Sequence, residues 1–137
     1  MKNKQILFVG LLLTAACTKK TVEPDKPEPR LEGRWQESSH LITRYDAAGN
    51  IVSQDVDILQ GYYMVLTKDS LHYRTTSDHS SLGSDHYVRQ GNVLQFGRGR
   101  ISPVITTLTE HALSLRFRQP AATPGGGYID SEDRYTH

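Results

Sequence analysis

Two copies of the tripeptide Ser-Asp-His are the residues in this 137-residue chain whose types and spacing first suggest chemistry. They stand at Ser77–His79 and Ser84–His86, separated by Ser80–Gly83. Neutral imidazole and carboxylate are common ligands of divalent metals, so the pair is a candidate metal site. Ser, Asp and Gly are also the residues that hairpin turns use. Because the turn interpretation needs nothing further, we predict a loop here and no metal.

The rest of the sequence lacks the patterns of known catalytic groups. It has no nucleophile-elbow motif, no paired-carboxylate signature and no glycine loop between a strand and a helix. Pro124–Gly127 is rich in glycine, but no strand-to-helix context surrounds it. We therefore predict a protein that is not an enzyme and that needs no cofactor.

Cys17, the single cysteine, follows a segment typical of export signals. Lys2 and Lys4 precede an apolar run, Ile6–Leu13, which small residues separate from the cysteine. The apolar run is too short to cross a bilayer, which needs about 20 residues. Residues 1–16 are therefore predicted to be a signal peptide, removed in the mature protein.

The five residues that end at Cys17, Leu-Thr-Ala-Ala-Cys, resemble the lipobox of bacterial lipoproteins. The resemblance implies that Cys17 receives a diacylglyceryl group and becomes the N-terminus of a membrane-anchored protein. The alternative is an ordinary secreted protein with an incidental cysteine. Thr18 follows the cysteine where Asp retains some lipoproteins in the inner membrane, so by analogy the outer membrane is favoured.

Residues 17–30 are predicted to be a lipid-anchored, proline-rich tether, and residues 31–137 a single domain. At about 3.1 Å per residue, the tether reaches about 40 Å in an extended conformation. Of the 16 Lys and Arg residues, Lys2 and Lys4 lie in the signal, so 14 remain against 15 Asp and Glu. Such a near-neutral chain does not indicate nucleic-acid binding.

The domain shows the two-residue period of β-strands throughout. Leu113, Leu115 and Phe117 alternate with polar residues, and turn residues recur at close intervals, as at Asp46–Asn50. Pro103 within Ile101–Leu108 indicates an edge, bulge or bend. We predict an all-β domain, an antiparallel meander of about eight strands closing as a small barrel, with Gly127–Tyr135 a candidate ninth.

The triplet Gly33-Arg34-Trp35 stands where the first predicted strand begins. Together with Leu31-Glu32 before it, the turn at Asp46–Asn50 and the hairpin at Leu66–Asp69, it resembles the small lipocalin-like lipoproteins of Bacteroidetes. The resemblance implies a lipocalin-like barrel with Gly33 and Trp35 at its closed end. It also implies an arginine packed over the indole; among Arg116, Arg118 and Arg134, we favour Arg134.

An eight-stranded barrel is either filled by side chains or holds one small ligand. If it holds a ligand, aromatic residues on the strands are the candidate lining; the same residues are also suited to an ordinary core. We expect an apolar or amphipathic ligand, and the alternative is a filled barrel whose loops contact another envelope protein. The candidate ligand residues are Tyr62, Tyr63, Tyr73, Tyr87 and Phe96.

Overall fold

The computed structural model describes residues 29–97, 99–122 and 126–137, and within them it contains nine β-strands. None of these residues belongs to a helix long and apolar enough to cross a membrane. Cys17, the predicted signal peptide and most of the predicted tether lie outside the described residues. The strands are β1 Gly33–Tyr45, β2 Ile51–Ile58, β3 Tyr62–Leu66, β4 Ser70–Thr75, β5 Ser81–Gln90, β6 Val93–Phe96, β7 Val104–Leu108, β8 Ala112–Pro120 and β9 Tyr128–Thr136.

Eight of the strands form a closed antiparallel barrel. The first residues of β1 pair with β3, and each later strand pairs with the next as far as β9. β9 then pairs with β1 from Gln36 to Tyr45, which closes the ring. The prediction of an all-β meander closing as a barrel of about eight strands is therefore confirmed.

Strand β2 lies outside this ring and extends it. The turn from Asp46 to Asn50 returns the chain as predicted: the Asp46 carboxylate accepts hydrogen bonds from the amides of Ala48 and Asn50. β2 then pairs with the second half of β1, Ser39–Tyr45, whereas β3 pairs with Gly33–Gln36. β2 and β3 thus follow one another along the same side of β1, and only β3 has β4 on its other side.

Four strands consequently continue past the rim of the barrel. β2, β1 and β9 are paired beyond the level of Tyr62, where β3 begins. β8 is paired with β9 as far as Pro120. β7 begins opposite Arg116 on β8, so among the described residues the last part of β8 pairs with β9 alone. The barrel therefore carries a four-stranded extension in the order β2-β1-β9-β8.

The alternation of the strands directs one set of side chains into the barrel, because directly opposed residues share a face. Leu113 lies opposite Tyr135, and Trp35 opposite Met64, and all four are buried. The chain before β1 also enters this core, since Leu31 is only 2% exposed. The complete buried cluster is Leu31, Trp35, Met64, Leu66, Leu71, Tyr87, Leu94, Ile105, Leu113, Leu115 and Tyr135.

Trp35 is buried at the end of the barrel where the chain enters, but its partner differs from the expected one. Arg134 is paired with Ser114 and Ser39 on the outer face of β9, and its guanidinium binds Glu132. The ring that packs edge-on against the indole is that of His137, with 5.1 Å between centroids. The expectation of Arg134 over Trp35 was wrong because even-numbered residues of β9 face outward.

Gly33 begins β1 in a conformation that favours glycine, with φ +148°. A Cβ atom at this position would lie 3.1 Å from Nε2 of His137. The absence of a side chain thus lets the C-terminal histidine approach the entry of β1 and reach the indole of Trp35.

The pairing between β6 and β7 is the shortest in the barrel. One residue pair, Val93 with Val104, is in register, supported by hydrogen bonds from the Leu94 amide to the Pro103 carbonyl and from the Ile105 amide to the Asn92 carbonyl. The strand predicted from Ile101 begins only at Val104, after Pro103, which has no amide hydrogen to donate. The preceding residues instead form part of a loop beside the barrel interior.

Candidate functional site

A cavity of about 180 Å³ lies within the barrel, beside the β6–β7 loop. Three aromatic side chains, Tyr73, Phe96 and Phe117, form part of its wall. The polar part of the wall is an ion pair between Asp85 on β5 and Arg100 on the loop. The remaining wall is aliphatic and consists of Leu71, Ile101 and Leu115.

Strand register explains why these side chains converge. Leu71 on β4 lies opposite Asp85 on β5, so both face the interior, and Tyr73 follows two residues after Leu71. Phe117 follows Leu115 by two residues on β8 and shares its face. The barrel wall therefore supplies a mainly apolar lining with one carboxylate.

The cavity reaches solvent at the loop. Ile101 is 44% exposed and the Arg100 side chain 61% exposed, whereas Leu71 and Leu115 at the opposite wall are buried. The Arg100 guanidinium binds the carboxylate of Asp85 at this opening. A ligand entering here would meet one cation and one anion before the apolar wall.

A polar layer lies next to the cavity on the interior face of β1 and β9. Nδ1 of His40 is 2.5 Å from a carboxylate oxygen of Asp133, and Glu37 lies nearby. Burial raises the pKa of the Glu37 carboxyl above its ordinary value, and the negative charge of Asp133 adds to the rise. His40 opposes that rise because its ring favours the ionised carboxylate.

Tyr73 joins the polar layer to the cavity. Its ring lines the cavity, and its hydroxyl lies near that of Tyr135. Burial raises the pKa of both phenols, and the neighbouring Asp133 carboxylate raises both further. Both hydroxyls therefore stay protonated at neutral pH and remain able to donate hydrogen bonds.

The five aromatic residues proposed as a ligand site do not come together. Tyr73 and Phe96 line the cavity. Tyr87 is 4% exposed in the core, and its hydroxyl donates to the Thr67 carbonyl at 2.5 Å. Tyr62 is 45% exposed at the start of β3. Tyr63 faces outward, because adjacent residues of a strand point to opposite faces.

The outer side of the barrel holds Tyr63 in its own cluster. The Arg34 guanidinium lies 3.9 Å from the centre of the Tyr63 ring, and the hydroxyl is 3.1 Å from Nδ1 of His79. Arg74 in turn donates to the His79 carbonyl. These contacts hold the β4–β5 turn against the outer surface of the sheet. Tyr63 therefore stabilises this turn and does not line the cavity.

The two Ser-Asp-His tripeptides occupy different environments. In the β4–β5 turn, the Asp78 carboxylate accepts hydrogen bonds from the Thr75 hydroxyl and the Ser80 amide, which lower the pKa of Asp78 to about 2. In β5, Asp85 faces the interior whereas His86 faces outward towards Ser70. Among the described residues, no three His, Cys, Asp or Glu side chains converge as metal ligands.

Ser70 and His86 are close enough to suggest a catalytic pair, but their bonding differs from that of a triad. The Ser70 hydroxyl is 3.1 Å from Nδ1 of His86 and 2.9 Å from the Asp69 carboxylate. The carboxylate thus binds the hydroxyl, whereas a triad carboxylate orients the imidazole. The group is suited to holding the β3–β4 turn against β5.

Of the eight residues that line the cavity, the predicted ligand site included only Tyr73 and Phe96. The ones that it missed include Asp85, Arg100 and Phe117. The alternation of β8 marked Phe117 as inward-facing, but nothing indicated that the barrel is unfilled at that level. Asp85 belonged to a tripeptide interpreted as a turn. Arg100 lies on a loop, and the position of a loop residue follows from the packing of the strands that flank it.

Comparison with known proteins adds one likeness. No family model matches the sequence, and no curated protein matches it significantly. Among solved structures, the chain is similar to a lipocalin-like protein from Bacteroides uniformis. The two are 13% identical, the likeness covers 77% of this chain and 96% of that one, and the TM-score is 0.45.

Proposed function

We propose that this chain is a lipid-anchored protein of the bacterial cell envelope whose barrel binds one small apolar or amphipathic ligand without catalysing a reaction. The observation that carries the ligand proposal is the cavity walled by Tyr73, Phe96 and Phe117, with the Asp85–Arg100 ion pair at its opening. An apolar wall with a few polar groups at fixed positions is the usual composition of a small-molecule site.

The volume of the cavity limits the size of the ligand. Sites for drug-sized molecules measure about 300–1,000 Å³. This cavity measures about 180 Å³, close to the roughly 150 Å³ engineered cavity that binds benzene in another protein. The ligand class we propose is therefore a compound of about one ring, with a polar group placed at Asp85 and Arg100.

A titration with benzene and phenol as probes tests this proposal. Addition of either probe to the isotopically labelled protein is expected to shift the methyl resonances of Leu71 and Leu115. Leu115→Phe, which fills the cavity, is expected to remove these shifts. Val88→Phe, which adds a ring on the exposed outer face of β5, is the matched control and is expected to retain binding.

A second variant keeps the test valid if Leu115→Phe does not fold. Ile101→Trp places an indole ring at the cavity opening, where Ile101 is partly exposed, and leaves the buried residues of the wall unchanged. Unchanged methyl resonances at saturating probe, or equal binding in both filled variants and the wild type, would refute the ligand proposal. Native mass spectrometry of protein purified from its host would identify a natural ligand directly.

The resemblance of the residues that end at Cys17 to a lipobox supports the proposal of lipid anchoring, and the outer membrane is the location we favour. One acyl chain binds membranes only marginally, so the several chains of a lipoprotein are needed for stable anchoring. Cys17→Ser is expected to yield an uncleaved or soluble product. A Cys17→Ser protein that is processed normally and still fractionates with membranes would contradict this part of the proposal.

A protein-interaction module is the second candidate function. The observation in its favour is strand β2, which carries four exposed large apolar side chains and, within the described part of the chain, has a strand on one side only. Such an edge is a ready site for strand addition.

A further inference from the structure

The outer edge of β2 is an unpaired strand edge with an apolar face. β2 ends the strand order of the described sheet, so its second row of backbone N–H and C=O groups faces no strand among the described residues. Four of its side chains are more than half exposed: Ile51 at 57%, Val52 at 68%, Val56 at 58% and Ile58 at 77%. Natural edge strands are normally protected by charges, proline or a covering segment, and apolar edges promote pairing. The two charges of β2, Asp55 and Asp57, lie on the face opposite to Val56 and Ile58.

The two faces of β2 differ in character, which constrains what can pair with it. Val52, Gln54, Val56 and Ile58 share the outer face with Leu41 and Thr43 of β1. Ser53, Asp55 and Asp57 share the opposite face with Arg44, Ile42 and His40, and Asp55 binds Arg44 at 2.5 Å. A partner strand must therefore offer apolar residues on one face and no opposing carboxylates on the other.

We propose that the partner is a second copy of this chain, joined through antiparallel pairing of β2 with β2 about a two-fold axis at Gln54. A two-fold axis perpendicular to the sheet keeps each face continuous, so residues pair only within the same face. With Gln54 on the axis, Val52 lies opposite Val56 of the other copy, and Ser53 lies opposite Asp55. At these central pairs the register places apolar beside apolar and a hydroxyl donor beside a carboxylate, whereas at its ends Ile51 lies opposite Asp57.

The registers centred on Asp55 and on Val56 are less favourable because of charge. With Asp55 on the axis, the Asp55 carboxylates of the two copies would be directly opposite. With Val56 on the axis, Asp55 would lie opposite Asp57. Like charges directly opposed across strands are destabilising. The Ser53-centred register opposes no carboxylates, but it places Val52 opposite Gln54 instead of Val56 and so loses the apolar pair. The Gln54-centred register is therefore the one we propose, and the product is one sheet that continues from β9 and β1 through both copies of β2.

Disulfide trapping of the full-length chain in detergent tests the register. Opposed Cα atoms in antiparallel strands are about 4.5–5.5 Å apart, within the range that a disulfide can join. Gln54→Cys is expected to give a cross-linked homodimer under mild oxidation. Gln95→Cys, an exposed residue on β6, is the matched control, and the wild-type chain reports any background from Cys17.

Light scattering coupled to size exclusion tests the association itself. The wild-type chain is expected to have the mass of a dimer at micromolar concentration, and Val56→Lys the mass of a monomer. Val88→Lys, equally exposed on β5, is the matched control and should remain dimeric. A monomeric wild type, a Gln54→Cys yield no higher than that of Gln95→Cys, or cross-linking of Gln54→Cys to a different polypeptide would overturn the proposal.

Discussion

Trp35 is hydrogen-bonded to Leu31, the residue four positions before it: the indole Nε1–H donates to the Leu31 carbonyl at 2.8 Å. Both residues are almost completely buried, at 1% and 2% exposure. The bond turns the chain that precedes β1 across the end of the barrel. One side chain thereby contributes a large ring to the core and satisfies a carbonyl that the barrel would otherwise leave unpaired.

Trp35→Ala is expected to lower the free energy of unfolding by about 3–5 kcal/mol, because it removes a fully buried aromatic ring. Trp35→Phe keeps most of the ring and loses the hydrogen bond, so a smaller loss is expected. Urea denaturation followed by circular dichroism measures both. An unfolding midpoint unchanged in Trp35→Ala would show that the ring does not belong to the core.

Gly127→Ala is expected to destabilise the protein by about 1–3 kcal/mol. Gly127 has φ +63°, and a Cβ atom there would overlap the backbone carbonyls of Tyr45 and Asp46. Gly97→Ala is the matched control, since a Cβ at Gly97 meets no atom within 4 Å. Thermal melts of the two variants compare them directly, and equal melting temperatures would contradict the prediction.

Glu37→Gln is expected to make the protein more stable at pH 7. Burial and Asp133 raise the pKa of Glu37 above 4.5, so the folded state holds the proton more tightly than the unfolded state. The stability associated with this group is present in full below the unfolded pKa and is lost as the pH rises through the folded pKa. The gain from Glu37→Gln should therefore disappear below about pH 4.

A series of urea denaturation curves from pH 4 to pH 7 measures this difference. Glu110→Gln, in the exposed β7–β8 turn, is the matched control and should show no comparable gain. A constant difference between Glu37→Gln and the wild type across the series would argue against a titrating Glu37.

Arg118→Met is expected to lower the free energy of unfolding by about 1–3 kcal/mol, the range for leaving a buried polar group without its hydrogen-bond partner. Arg118 donates from Nε and Nη2 to the two oxygens of Asp130, each at 2.7 Å, and Asp130 is buried. The pairing holds the pKa of Asp130 below its ordinary value of 3.8. Its contribution is present above the unfolded pKa and is lost as the pH falls.

The deficit of Arg118→Met should therefore narrow as the pH falls below the unfolded pKa of Asp130. Arg118→Met combined with Asp130→Asn is expected to recover part of the loss, because no uncompensated carboxylate then remains buried. If the double variant were no more stable than Arg118→Met, the loss would come instead from the packing of Arg118 over Tyr128, whose ring centre lies 4.1 Å away.

Sequence reasoning and tertiary structure agree most closely where a local rule decides the outcome. The two-residue alternation of Leu113, Leu115 and Phe117 predicts β8, and the turn at Asp46–Asn50 predicts the hairpin that follows β1. They differ where the pairing of strands decides on which face of the sheet a side chain lies. Tyr62 and Tyr63 were both assigned to a ligand site, although neighbouring strand residues face opposite sides.

By itself the sequence determined the all-β class, the barrel topology and the burial of Trp35, because these follow from side-chain period, turn residues and the cost of exposing a large ring. Only the tertiary structure decided which side chains meet. A shift of one residue in strand register reverses the face of every side chain, so Arg134 lies outside and His137 contacts the indole. The same register brings Asp85 to the cavity opening, and β2 is the last strand of the sheet that the described residues form.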